Sequence, residues 1–213
     1  MADVIEQSRK SVVKVIIPGS GRVTFVSQGS GFVIDVKPDG TTLIMTNNHV
    51  VGDATRVRIQ LHDNSTVDGT VLGRDRLHDI AIVKIVRPGL VPLELGDVGR
   101  VPRNSDVVAF GYPNNASTLQ ITRGTYSTLQ YDTGRDLVYV FGDAAIDHGS
   151  SGGPLLSTNG KVIGMVTLGS NLGSPFPRLW AVTANTIKSF LPPLLEGKIV
   201  AHRERTPEYA LAA

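Results

Sequence analysis

Short β-branched runs separated by glycine and proline constrain this chain more than any other feature. Ser11 to Ile17 reads as a strand ended by Pro18-Gly19-Ser20-Gly21, and residues 22–26 and 31–36 read as the next two. Gly29-Ser30-Gly31 marks a bulge or a close approach between strands. Residues 42–46, 55–61, 67–72 and 80–85 follow, then 106–111, 117–128, 136–141, 153–157, 161–169 and 178–183. Strands recurring every ~8–12 residues with turn signals between them predict an all-β barrel or sandwich. Residues 88–104, with three prolines and little periodicity, read as a connection between two halves. Helices are expected only at the ends. Residues 2–9 form a short one with Val4 and Ile5 inward, and a final helix starts with Asn185 as N-cap and runs through Ile187, Phe190 and Leu191. Pro192-Pro193 predicts a kink or restart, and residues 201–213 a loose polar tail.

Composition excludes several classes of function. A hydrophobic content of 41% and a charged content of 19% over 213 residues describe a globular domain with ample chain for a core. The net charge of +2, with no dense Lys/Arg run, argues against nucleic acid as a partner. Cysteine is absent, so neither a disulfide framework nor a thiol nucleophile is available. No apolar stretch approaches the roughly 18 residues of a membrane span. Residues 1–7 lack the basic start and apolar run of a signal peptide, so the chain as written is expected to be cytoplasmic, or extracytoplasmic with its export signal removed. Two sequons, at Asn64 and Asn115, read as chance matches.

The chemistry concentrates in Asp143-Ala144-Ala145-Ile146-Asp147-His148-Gly149-Ser150-Ser151-Gly152-Gly153-Pro154. Glycine permits positive φ and close backbone approach, so such a turn can aim the N–H groups of Gly149 and Ser151 into one small space, as an oxyanion requires. Alone, the stretch reads equally well as a Gly/Ser loop. A serine hydroxyl needs a base within hydrogen-bond reach, and His49 in Thr46-Asn47-Asn48-His49-Val50-Val51 is the candidate. His62 and His202 sit in polar turn or tail contexts, His78 is expected on the opposite face from Asp79, and His148 borders the serine loop. Asp79, opening Asp79-Ile80-Ala81-Ile82-Val83, is the carboxylate expected to orient the imidazole; Asp143 and Asp147 are rivals by proximity to Ser151.

The order His49, Asp79, Ser151 is that of the chymotrypsin-type triad. At these three motifs the chain closely resembles the HtrA/Deg family of trypsin-like serine peptidases, a likeness that extends from about residue 4 to about residue 200. The resemblance implies two antiparallel six-stranded barrels, one over about 11–96 and one over about 104–184, with a helix and tail over 185–213 and no PDZ module. It implies a serine endopeptidase acting on unfolded or flexible protein segments, without cofactor or metal. Ser151 would attack, His49 would shuttle the proton and Asp79 would orient His49. Thr167 would hydrogen-bond Asp79, while Val166, Thr167, Leu168 and Gly169 would pair with an extended peptide. By position, Ala145, Ile146, His148, the segment 166–169 and Arg178 would line the substrate site, favouring small aliphatic residues at the cleaved position.

The chain departs from the family where Ser150 and Asp147-His148 replace its usual Asn and Asn-Pro, and where the segment at residues 18–21 is short. The N-terminal segment has no aromatic anchor, so a monomer is expected, with a trimer as the alternative. The rival function is a catalytically silent peptidase fold that binds extended peptides. An esterase is disfavoured, because Gly149-Ser150-Ser151-Gly152-Gly153 is not the G-x-S-x-G elbow.

Overall fold

The computed structural model describes residues 2–19, 27–113, 116–167 and 179–200. The strand expected at 22–26 and the tail at 201–213 lie outside the described residues. Six strands, β1 (Val12–Ile17), β2 (Ser27–Val36), β3 (Thr41–Thr46), β4 (Arg56–Gln60), β5 (Thr66–Asp75) and β6 (Ile80–Val86), form the first barrel. Its order is β5-β4-β1-β2-β3-β6, closed by the antiparallel pairing of β5 with β6. The second barrel takes β7 (Asp106–Gly111), β8 (Gln120–Asp132), β9 (Leu137–Gly142), β10 (Pro154–Ser157), β11 (Val162–Val166) and β12 (Leu179–Thr183). It closes in the order β10-β11-β12-β9-β8-β7. Helix α1 (Ala2–Ser8) precedes the barrels, one-turn α2 (Asn48–Val51) follows β3, and α3 (Ala184–Leu195) leads to a short β13 (Ile199–Val200). The all-β reading and the pair of six-stranded antiparallel barrels agree with the expectation.

Strand alternation explains why these segments are apolar on both faces. Val13, Val15, Val33, Ile44, Val57, Ile59, Ala81, Val83 and Ile85 fill the first barrel. Val107, Ala109, Val140, Leu155, Ile163 and Ala181 fill the second. On β2, β3, β6, β7, β10 and β11 many of the alternate positions are buried as well, whereas β4 turns Arg56 and Arg58 to solvent. Phe32, Met45, Ile80, Ile82, Val108, Phe110, Leu156 and Met165 form a third cluster that unites the two barrels, and Val4 and Ile5 of α1 pack against it as expected. A half-solvated strand alternates polar and apolar, as β4 does; the strands that carry the third cluster are wedged between two cores. Burying one such side chain is worth roughly 1.5–3 kcal/mol, so the seam is as apolar as either interior.

The C-terminal helix corrects two expectations. Its N-cap is Thr183, whose Oγ1 accepts from the Thr186 N–H at 3.2 Å, and not Asn185. Asn185 instead clasps the connector between the barrels. Its Oδ1 accepts from Val98 N at 3.0 Å, and its Nδ2 donates to Asp97 Oδ1 at 2.8 Å. That hydrogen bond, with another from Gly99 N, holds the Asp97 carboxyl below the usual aspartate range. The helix also continues through Pro192 and Pro193 to Leu195. It ends in a Schellman turn: Gly197, at φ 82°, donates to Leu194 O, and Lys198 N donates to Pro193 O, both at 3.1 Å. That turn delivers Ile199 and Val200 parallel to Arg74 and Asp75 at the end of β5.

Gly73 makes this docking feasible. A Cβ there would collide with the Leu194 backbone. Gly73→Ala is therefore expected to cost about 1–3 kcal/mol, the usual penalty of overpacking, read as a lower urea midpoint at unchanged m-value.

Candidate active site

The one-turn helix α2 presents His49 at the mouth between the barrels, with its side chain 46% exposed. Asp79 lies in the turn before β6 with φ 56°, a left-handed conformation that aspartate tolerates better than most residues. Its carboxylate grips the histidine at two points. Oδ1 accepts from the His49 backbone N–H at 2.8 Å, and Oδ2 lies 2.7 Å from His49 Nδ1. Thr167 Oγ1 donates to the same Oδ2 at 3.2 Å, reaching across from the second barrel, and Asn47 Nδ2 donates to the Asp79 carbonyl at 3.1 Å. With Nδ1 turned to the carboxylate, Nε2 is the ring nitrogen left to face a reacting group.

Two neighbouring residues of β5 support this pair. Arg74 donates through Nη1 to Gly52 O, and its Nη2 lies 3.1 Å from Asp53 Oδ1, which ties the end of α2 to the sheet. Asp75 repeats the grip of Asp79 on a second histidine. Its Oδ1 accepts from the Leu77 and His78 N–H groups, and its Oδ2 lies 2.7 Å from His78 Nδ1. His78 is buried and stacks on Phe190 of α3, centroids 3.4 Å apart. From sequence His78 is expected on the face opposite Asp79. Instead the buried ring anchors the turn that carries Asp79.

The loop between β9 and β10 approaches from the other side. Gly149 has φ 93° and Gly152 φ 87°, conformations that favour glycine. A Cβ on Gly152 would collide with the Ser30 carbonyl, and one on Gly153 with the Phe110 carbonyl. Ser150 N donates to Asp147 O at 2.9 Å, and Gly153 N to Ser150 O at 3.0 Å. Ser151 is buried, and its Oγ has no hydrogen-bond partner among the described residues. The backbone N–H groups of Gly149 and Ser151 likewise donate to nothing among them. Ser30, 0% exposed, holds this loop through its N–H to Ser151 O and its hydroxyl to Gly149 O, each at 2.7 Å. The Gly29-Ser30-Gly31 signal allows a bulge or a close approach. It is a close approach: a Cβ on Gly29 would lie 3.0 Å from Ser151 O, and the register shift of β2 falls between Val33 and Asp35.

The remaining substrate-site candidates divide. Ala145 and His148 are exposed on the loop, and Ile146 is buried against the second barrel's core. Both backbone groups of Val166, expected to pair with a peptide, have partners within the chain. Its N–H donates to Gly153 O at 2.8 Å and its C=O accepts from Gly152 N at 2.9 Å, because β11 is needed to hold the glycine pair. Thr167 N is likewise committed, to Trp180 O at 2.9 Å. Leu168, Gly169 and Arg178 lie outside the described residues. Among the described residues, no group of three or more His, Asp or Glu side chains is placed to hold a metal ion.

Residues 29–165 match the family model described as the trypsin-like peptidase domain. The chain belongs to the trypsin-like peptidase family. Its curated relatives are of the HtrA/Deg type, as the three motifs suggested. It is 39% identical over 202 residues to the mitochondrial serine protease HTRA2 of Bos taurus, covering 90% of this chain and 42% of that one. To the periplasmic serine endoprotease DegP of Salmonella typhimurium it is 32% identical over 192 residues, covering 84% and 38%. The chain thus spans about two fifths of the length of these relatives. A solved structure of the HtrA-type protease AlgW with a tripeptide shares the fold at a TM-score of 0.80, with 24% identity, over 92% of this chain and 63% of that one.

In this trypsin-like peptidase chain the support beneath Asp79 is testable apart from any reaction. Asp75→Ala strips a buried imidazole and two backbone N–H groups of their acceptor. The expected loss is on the order of 3–5 kcal/mol in chemical denaturation, the range for breaking a buried pair. A loss below about 1 kcal/mol would show that the turn holds without it.

Proposed function

We propose that the chain is a serine endopeptidase working through Ser151, His49 and Asp79. One observation carries the reading: the two-point hold of Asp79 on His49, at 2.8 and 2.7 Å, beside a nucleophile loop whose Gly149 and Ser151 amides are undonated among the described residues. In the forward step Ser151 Oγ bonds to the scissile carbonyl carbon while His49 Nε2 takes its proton. Asp79 keeps the ring in the tautomer with Nδ1 protonated and stabilises the imidazolium that forms. The carbonyl oxygen, now an anion, is received by the Gly149 and Ser151 N–H groups. Collapse breaks the C–N bond, His49 returns the proton to the leaving amine, and an acyl-enzyme remains on Ser151. Water then repeats the sequence and frees the acid.

Substrates are extended, unfolded or flexible protein segments. An uncharged Ala145 and an apolar Ile146 at the primary pocket favour Val, Ala, Leu or Ile at the cleaved position. The preference is modest, since one methylene in an apolar pocket is worth roughly 1–3 kcal/mol. Sequencing the products of a denatured-protein digest checks it. Cleavage after small aliphatics is expected; dominant cleavage after Asp or Glu would mean that Arg178 reads a carboxylate, and cleavage after Lys or Arg would sink the pocket assignment.

A second reading, a silent module that binds extended peptides, is favoured by a Ser151 Oγ without a hydrogen-bond partner among the described residues. Catalytic hydrogen bonds often tighten only when substrate binds, so this does not decide against the enzyme. Labelling by a fluorophosphonate probe separates the two. The wild type is expected to label at Ser151 and to cleave casein. Ser151→Ala should do neither, since loss of a triad nucleophile costs about 10⁶ in kcat. Equal hydrolysis by both proteins would remove Ser151 from the mechanism, and a wild type that binds unfolded peptide without labelling would favour the silent module.

A further inference from the structure

We propose that Ser30, a buried serine of the first barrel, is a positioning residue that sets the oxyanion-binding amides of the nucleophile loop. The inference rests on the reading of Ser151 as nucleophile and of the Gly149 and Ser151 N–H groups as the oxyanion site. Every polar group of Ser30 is engaged, and its four bonds end on three separate segments. Its N–H donates to Ser151 O at 2.7 Å, and its C=O accepts from Thr46 Oγ1 at 2.7 Å. Its hydroxyl donates to Gly149 O at 2.7 Å and accepts from Tyr112 N at 2.9 Å. Ser30 thereby joins β2 to the strand leading into His49, to the segment after β7 and, at two points, to the loop of the second barrel.

The polarity of the hydroxyl is forced. Tyr112 N–H can only donate, so the one hydroxyl proton is left for Gly149 O. Carbonyls 149 and 151, on either side of Ser150, are therefore both turned towards β2. The N–H groups of the same two residues remain undonated among the described residues. This two-point clamp matters because Gly149, at φ 93°, has the wide choice of backbone angles that glycine allows. Without the hydroxyl its peptide planes can rotate, and the Gly149 N–H loses its alignment with that of Ser151. An oxyanion site stabilises the transition state only to the extent that its dipoles are fixed before charge develops. A Cβ on Gly29 would meet Val50 at 2.6 Å, and one on Gly31 would meet Met45 O at 2.9 Å, so the residues flanking Ser30 are spare in the way a close clamp requires.

The test uses the whole chain as Ser30→Ala, with Ser30→Cys as the near-isosteric variant with a weaker donor should the alanine protein not fold. Four quantities are measured: kcat and KM on an unfolded-protein substrate, the dissociation constant of a peptide boronic acid that forms a tetrahedral adduct on Ser151, and the folded fraction. Positioning predicts that kcat falls about 10–100-fold in a folded variant, KM stays within about twofold, and the boronate weakens by the same factor as kcat, a somewhat smaller effect than deleting an oxyanion donor outright. Values of kcat and boronate affinity within twofold of wild type would overturn the proposal, as would a fall in kcat that merely follows the folded fraction. An inactive wild type would defeat the peptidase reading instead, and the clamp is then judged by ¹⁵N relaxation. Order parameters of the Gly149 and Ser151 amides dropping from about 0.85 to below about 0.6 in Ser30→Ala would support it, and unchanged values would overturn it.

Discussion

The carboxylate of Asp79 is the point on which the site depends, because it receives bonds from both barrels at once. It accepts the His49 backbone N–H, faces the His49 ring, and takes the Thr167 hydroxyl from the opposite barrel. None of these partners is near Asp79 in sequence, and Thr167 can be reached only if the two barrels pack at one distance. The apolar seam supplies that distance. Ile80 and Ile82, directly after Asp79, are buried in the cluster shared by both barrels. The strand that carries the carboxylate is therefore part of the packing that brings Thr167 to it, and a shift in the seam would be felt at the carboxylate first.

Glycine sets the other half of the geometry. Gly152 and Gly153 lie where a single Cβ would strike the Ser30 and Phe110 carbonyls, so the loop bearing Ser151 rests against backbone from the first barrel and from β7. Such contact leaves no room for a side chain or a water layer. It also turns the loop's hydrogen bonding inward on one side: carbonyls 149 and 151 are spent on Ser30. The side that remains carries the N–H groups. A site that gathers positive dipoles needs some such disposal of the neighbouring carbonyls, since every peptide unit has both ends.

How much of this was legible in the sequence follows from the range of each interaction. The strands declared themselves because β-branched runs and Gly/Pro turns are local signals, and the His, Asp and Ser motifs because each carries its own flanking strand. The supports were not legible. Asp75 and His78 form a local pair, but nothing in Asp75-Arg76-Leu77-His78 tells a buried stack on Phe190 from a solvated turn. Ser30 was flagged only through its glycine neighbours. Asn185 was read as a cap by residue type, and Thr183 took that place because Asn185 is needed by Asp97 and Val98 far away in the chain. Helix α3 passing through Pro192 and Pro193 has the same origin: local propensity yields to packing on β5, where Gly73 makes room for Leu194.

The departures at Asp147, His148 and Ser150 then take on a physical meaning. The HtrA/Deg pattern has proline where this chain has His148, and a proline would fix φ and offer no N–H. Here His148 N donates to Asp147 Oδ1 at 2.7 Å, so a side-chain acceptor restrains a backbone that the ring would otherwise restrain. Ser150 completes the exchange, its Oγ accepting from Asp147 N at 3.3 Å while its N–H donates to Asp147 O at 2.9 Å. Residues 147–150 thus form a reciprocal turn whose restraint is hydrogen bonding and not ring closure. A turn held that way can be rebuilt by competing donors and acceptors, including those of an arriving peptide, whereas a proline cannot exchange its constraint. The shape of the Ser151 loop therefore rests on hydrogen bonds, those within residues 147–150 and those from Ser30 to the carbonyls of Gly149 and Ser151.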